Sequence, residues 1–200
     1  MSLYSIYANT NHYRTLGFDR SQSREVFGDN IENQFDVNFE AKPYSHLWQT
    51  LNVNFADAGS ALSGNLIPDI SEHNGRLFLS QKSYDVLKDL LAHDGEFLPV
   101  HYEQGSAFLF NPLSLAETVN GLNEILSIKN EWGDIENTAF HEERVKNFVI
   151  FRSKFDNYRS AHCSQSLKDA INLAGLKGVF FTPDLGNPYT LDQAKNLHNG

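Results

Sequence analysis

His162 and Cys163 stand side by side in AHCSQSLKDAINLAGLKGVFF (161–181), and Cys163 is the only cysteine of the chain. A cysteine nucleophile needs a base within hydrogen-bond reach, a group that orients that base, and donors for an oxyanion. Adjacent residues on an extended segment point to opposite faces, so His162 is badly placed to serve Cys163 as base. A position just ahead of a helix N-terminus lowers a thiol pKa, which favours reactivity. Against it, the segment has no glycine-rich nucleophile turn and no cysteine-hydrolase signature. The pair is therefore read as structural, since free cysteines mostly pack as small hydrophobes, and no catalytic residue is assigned.

The eight histidines, at 12, 46, 73, 93, 101, 141, 162 and 198, raise the question of a metal. No two have helical i, i+4 spacing, and HEER (141–144) lacks the second histidine of a zinc-protease helix. One cysteine rules out a zinc finger. His93 and His101 could meet across a hairpin but have no evident third ligand, so neither a metal nor a cofactor is expected. AGLKG (174–178) follows a helix instead of joining strand to helix, so it fails as a phosphate loop. Asp69 and Asp184 each follow proline in turns, and Glu142 and Glu143 read as a solvated face.

Trp132, in NEWGDIEN (130–137), is a different kind of candidate. A loop aromatic flanked by acids has the composition of a binding anchor with a polar rim. Glu131, Trp132, Asp134 and Glu136 are the candidate partner-binding residues. The alternative is that Trp132 folds back into the core, as large apolar side chains usually do.

The bulk numbers bound what such residues can be part of. Two hundred residues suit one domain, and 40% apolar content supports a core. No apolar run approaches the roughly 18 residues of a membrane-spanning helix, and the N-terminus does not read as a signal peptide. The formal net charge is −9, with Lys and Arg scattered. Nucleic acid and anionic membrane are disfavoured as partners, because both demand a basic patch. An acidic surface suits a basic partner, and a single cysteine fits a reducing compartment, the cytoplasm by default.

The elements that must position these residues read as follows. LYSIYA (3–8) and YRTLGF (13–18) are short strands around a polar turn; 19–34 is loop; FDVNFEA (35–41) alternates as a half-buried strand does. SHLWQTLNVNF (45–55) is ambiguous between helix and strand, and ADAGSALSGN (56–65) is a small-residue linker. RLFLS (76–80) is a strand leading into a helix in SYDVLKDLLAHDG (83–95), which Gly95 ends, with Ser83 as a possible cap and Val86, Leu87, Leu90 and Leu91 on one face. EFLPVHY (96–102) is a strand that Pro99 places at an edge or bulge; AFLFN (107–111) is another. The Ser114/Glu117 spacing of a capping box predicts a helix over 115–126, weakened by Gly121. FVIFR (148–152) is a fully buried strand. Leu167, Ala170, Ile171 and Ala174 mark an amphipathic helix, and GVFFT (178–182) a buried strand. The sum is an α+β fold: a mixed, mostly antiparallel sheet with short helices packed on one face. It forms a single domain over 1–200, with a possible N-terminal β-rich lobe over 1–65 and a strand–helix–strand core over 66–188. RLFLSQKSYDVLKDLLAHDGEFLP (76–99) and RSAHCSQSLKDAINLAGLKGVFFTP (159–183) also share a plan, with Gln81 matching Gln165 and Gly95 roughly matching Gly178; this is either a degenerate repeat or common grammar.

The motifs Pro68-Asp69, Ser80 to Lys82, Phe97 to Val100, Asn111, Ile150 to Arg152 and Gly178 to Phe181 occur in that order. In this the chain resembles the Imm11 group of bacterial immunity proteins. The match runs over roughly residues 65–183; the N-terminal third agrees only in layout, with Trp48 before the Pro-Asp, and 113–147 diverges. The resemblance implies a non-enzymatic protein that binds and neutralises a cognate protein toxin. It carries over no catalytic residue: its motif residues would hold the fold, with partner specificity on variable loops. The residues themselves leave open a small-molecule or peptide-binding module, or a cysteine-dependent enzyme.

Overall fold

A computed structural model describes residues 2–56 and 64–186. Most of the expected linker, and the tail beyond 186, lie outside the described residues. The α+β reading holds. The chain runs β1 (Leu3–Ala8), β2 (Thr15–Phe18), α1 (Arg20–Phe27), β3 (Leu51–Ala56), β4 (Ile70–His73), β5 (Arg76–Ser80), α2 (Gln81–Leu91), β6 (Gly95–Tyr102) and β7 (Gly105–Pro112). Then follow β8 (Ile128–Lys129), β9 (Ile135–Asn137), α3 (Glu142–Val145), β10 (Ile150–Phe151), β11 (Ala161–Ser164), α4 (Gln165–Leu173) and β12 (Val179–Thr182).

The strands form two principal sheets, ordered β10-β11-β1-β12 and β2-β3-β6-β7-β5-β4, plus the small hairpin β8-β9. Among the named strands every pairing is antiparallel except β3 with β6. β1 lies between β11 and β12, and β3 joins β2 to β6. The N-terminal strands therefore belong to sheets shared with the rest of the chain. Pro99 sits on β6 one residue before the parallel pairing with β3 begins at Val100, where its missing N–H costs no ladder bond to that neighbour.

β5 is buried along its whole length because it separates two cores. Leu77 and Leu79 face one core, with α2, α4, Ile6 and Ile150; Phe78 faces the other, with Phe55, Leu98 and Leu109. The shared plan of 76–99 and 159–183 is a shared layout. In each unit a hairpin strand (β4 or β10) precedes a strand, a helix and a second strand parallel to the first, and an antiparallel strand (β7 or β1) lies between the two parallel ones. The amide of Ser80 donates to Asp69 O and that of Ser164 to Val149 O, both at 2.9 Å. Gln81 reaches Asp85 and Gln165 reaches Asp169 through the same i, i+4 amide–carboxylate bond, at 3.1 and 2.7 Å. By register, Phe97 in one unit occupies the position of Phe181 in the other, and Gly95 that of Val179, one residue past Gly178.

Of 148–152 only Ile150 and Phe151 are strand, with Phe148 and Val149 half-buried, and Val179 to Phe181 are half-buried too. Three further expectations fail here. Residues 20–27 are helix α1, with Asp19 Oδ1 accepting from the amides of Ser21 and Gln22. Residues 35–41 are not a strand, because their carbonyls bond to arginines from elsewhere in the chain. Arg76 Nη1 donates to Phe35 O, Arg76 Nη2 to Asn38 O at 2.7 Å, and Arg152 Nη1 to Phe39 O at 2.9 Å. The third is the helix over 115–126, which is only a 3₁₀ turn at Ala116–Val119 ended by Asn120 in the left-handed region. Ser114 does not cap it: its hydroxyl donates to Asp94 Oδ1 at 2.8 Å.

The two arginines form a hub around Asn111, whose Oδ1 accepts from Arg76 Nε at 3.3 Å and Arg152 Nη2 at 2.9 Å. Asn111 Nδ2 donates to Lys42 O and to Glu96 Oε1, at 2.9 and 2.8 Å. Arg76 also lies over the Phe35 ring at 3.8 Å. All three residues are buried, and no carboxylate of the described residues pairs with either guanidinium. Burial pulls Arg76 down to about 10 and Arg152 to about 9, so both remain cations at neutral pH. Gly75 makes the close approach possible: a Cβ there would stand 2.3 Å from Tyr158 O and 2.7 Å from Arg152 Cδ.

Candidate functional site

The hairpin register places Cys163 and His162 on opposite faces of β11, as extended geometry requires. Cys163 has no exposed surface and packs in the α2/α4 core, where burial pushes its thiol well above the usual range. His162 faces the rings of Phe140 and Phe151, with centroids at 4.8 and 5.6 Å. Its Nδ1 lies 3.0 Å from Ser5 Oγ, whose own proton points to Leu185 O at 3.1 Å. Burial lowers the ring's pKa, which favours its neutral form. Neither residue meets the other or solvent. His93 and His101 are both exposed, and no group of three or more His, Cys, Asp or Glu among the described residues is arranged to hold a metal.

The four candidate partner-binding residues, by contrast, lie together and open. Residues 130–137 are not the expected loop but the turn and return strand of the β8-β9 hairpin. Trp132 stands at its tip, 79% exposed, with Glu131, Asp134 and Glu136 also exposed. The core alternative for Trp132 is thereby set aside.

Asn130 holds the tip rigid. Its Oδ1 accepts from the amides of Trp132 and Asp134 at 3.0 and 2.8 Å, and its Nδ2 donates to Asp134 Oδ2 at 3.2 Å. Gly133 supplies the positive φ, 87°, that the turn requires. Asn123 braces the base, its Oδ1 accepting from the amides of Ile125 and Leu126 at 3.2 and 3.1 Å. Ser127 Oγ donates to Ala139 O and accepts from Ala139 N, at 3.1 and 3.0 Å. A surface so preorganised loses little conformational entropy on binding.

Three residues that the sequence reading passed over belong to the same arm. Ile125, Leu126 and Ile128 are 88%, 52% and 47% exposed. The expected helix over 115–126 would have hidden the first two. The signal against that helix was the Asn120-Gly121 dipeptide, a turn former. Over 123–137 the arm carries four carboxylates against the single Lys129, whose ammonium sits 4.8 Å over the Phe155 ring. An acidic, apolar-tipped arm has the composition of a surface suited to a basic partner.

The motif residues of the Imm11 resemblance sit elsewhere and do a different job. Asn111 and Arg152 make the hub. Asp69 Oδ2 accepts from Lys82 Nζ at 3.2 Å and from the amide of Lys177 at 3.0 Å. Gly178 lies against Pro68 and Ile70, where a Cβ would come within 2.3 Å of both. No protein-family model matches the chain, and no curated protein sequence matches it. The family resemblance therefore rests on these motifs.

Proposed function

We propose that this protein is a non-enzymatic binding protein of the cytoplasm, an Imm11-like immunity protein that occludes a cognate, basic protein toxin. The observation that carries the reading is Trp132, 79% exposed on a turn that Asn130 braces, with Glu131, Asp134 and Glu136 around it. Large aromatics are expensive to leave in water and are the preferred anchors of interfaces, while the acids steer a cationic partner to the anchor. Two further observations support it. The motif residues are engaged in holding the fold, which leaves recognition to the divergent 113–147 segment. The one thiol is enclosed, which removes the residue on which a cysteine enzyme would depend. Among the described residues no helix is long and apolar enough to cross a membrane.

The test is affinity capture from the source organism followed by co-expression. A near-stoichiometric basic protein whose toxicity to a host strain is relieved by this chain is the expected result. Recovery of background proteins alone, from cells shown to express the neighbouring genes, contradicts the reading.

A further inference from the structure

Beside the arm's base lies an open groove of about 420 Å³, lined by Glu117, Asn120, Glu124, Ile125, His141 and Arg144 among others. Ile125 stands at its lip and continues into the exposed Leu126 and Ile128. Glu117 is held in place by one oxygen only: Oε1 accepts from Ser153 Oγ at 2.6 Å and from the amide of Lys154 at 2.9 Å. Its Oε2 is enclosed and has no hydrogen-bond partner among the described residues. Glu117 therefore lends the groove negative charge and not an open acceptor. Arg144 is engaged locally, Nη1 donating to Asn120 O at 2.7 Å. Taking groove and arm together, five carboxylates (Glu117, Glu124, Glu131, Asp134, Glu136) face two cations, Lys129 and Arg144.

We infer that the interface extends from the tip to this groove, and that the groove receives an arginine or lysine of a protein segment whose flanking apolar residues cover Ile125, Leu126 and Ile128. The inference rests on the binding-protein reading and deepens it, by naming what the partner must present: a cation set among apolar side chains. The acidic balance argues for a basic segment. The apolar ridge argues for a protein occupant in preference to a simple polyamine, which would leave that ridge in water.

The experiment pans a random-peptide display library on the intact protein, then measures the enriched peptides by fluorescence polarisation against wild type, Ile125→Ser, Glu124→Lys and Trp132→Ala. Ile125 and Glu124 are exposed, so both substitutions leave the fold intact, which thermal melts verify. The expected consensus places Arg or Lys next to Leu, Ile or Phe. Binding is expected to weaken about tenfold or more in Ile125→Ser and in Glu124→Lys, the scale of an interface anchor. No enrichment, an acidic consensus, or peptides indifferent to both substitutions would overturn the inference. The arms separate it from the reading beneath it. Loss in the groove variants with no effect of Trp132→Ala removes the tip and leaves the groove. A cognate partner lost in Trp132→Ala but bound normally by both groove variants removes the groove and leaves the tip.

Discussion

The hub at Arg76, Asn111 and Arg152 and the arm at Ile125, Leu126, Ile128 and Trp132 invert the ordinary placement of charge and apolar surface. In the hub two cations are enclosed; in the arm four large apolar side chains stand in solvent. The difference is one of partners. Each buried guanidinium finds its acceptors inside the chain, in the carbonyls of residues 35–39 and in Asn111. Among the described residues nothing covers the arm's apolar side chains, although Asn130, Asn123 and Ser127 fix the backbone that presents them. A group satisfied internally holds the fold, whereas one held rigid but left uncovered is available to another molecule.

The largest expected effect breaks the hub. Arg152→Met removes the donors that serve Phe39 O, Pro112 O and Asn111 Oδ1 and leaves those acceptors enclosed. It should cost about 3 kcal/mol in denaturant unfolding, since single hydrogen bonds to charged groups contribute about 1.5–3 kcal/mol. A loss below about 1 kcal/mol would mean that the hub is incidental to the fold.

Next in size is a pH effect beside the hub. Glu72 is half-buried, and its Oε1 accepts from the Gly75 amide at 2.7 Å. Burial pushes its pKa up from 4.5 to about 8. The folded state then binds more protons than the unfolded state between these values, so this carboxyl lowers stability as pH rises through that window. Glu72→Gln keeps an acceptor for Gly75. It should match wild type near pH 4 and gain on it progressively up to about pH 8, with no further gain above. Equal stability curves for the two proteins would show the carboxyl to be solvated.

The smallest effect belongs to the arm. The double variant Ile125→Ser, Leu126→Ser should leave stability within about 0.5 kcal/mol and reduce binding of a hydrophobic dye. A large loss of melting temperature would place these side chains among the groups that hold the fold.

How far the sequence disclosed this arrangement follows from which contacts are local. RLFLS and its helix were readable because Ser80, the apolar stripe and the strand lie within one continuous stretch; the cap is Ser80, whose Oγ accepts from Ser83 N at 3.3 Å, and not Ser83. FDVNFEA alternates as a strand does, but its acceptors are taken by arginines far along the chain, and nothing local reports that. Helix α1 escaped because only Ser23 and Phe27 are buried, with Val26 half-buried beside them, too thin a stripe to see. The tip was found through Trp132 among acids. The ridge at its base was missed because Ser114 and Glu117 have capping-box spacing while their side chains serve Asp94, Ser153 and Lys154.

The most direct test compares wild type with Trp132→Ala for affinity toward the captured partner and for thermal stability in the same buffer. The account predicts at least about tenfold weaker binding, an interface anchor's share, at an unchanged melting temperature. Equal affinity, or a melting temperature that falls along with binding, would contradict the claim that this arm exists to meet another protein.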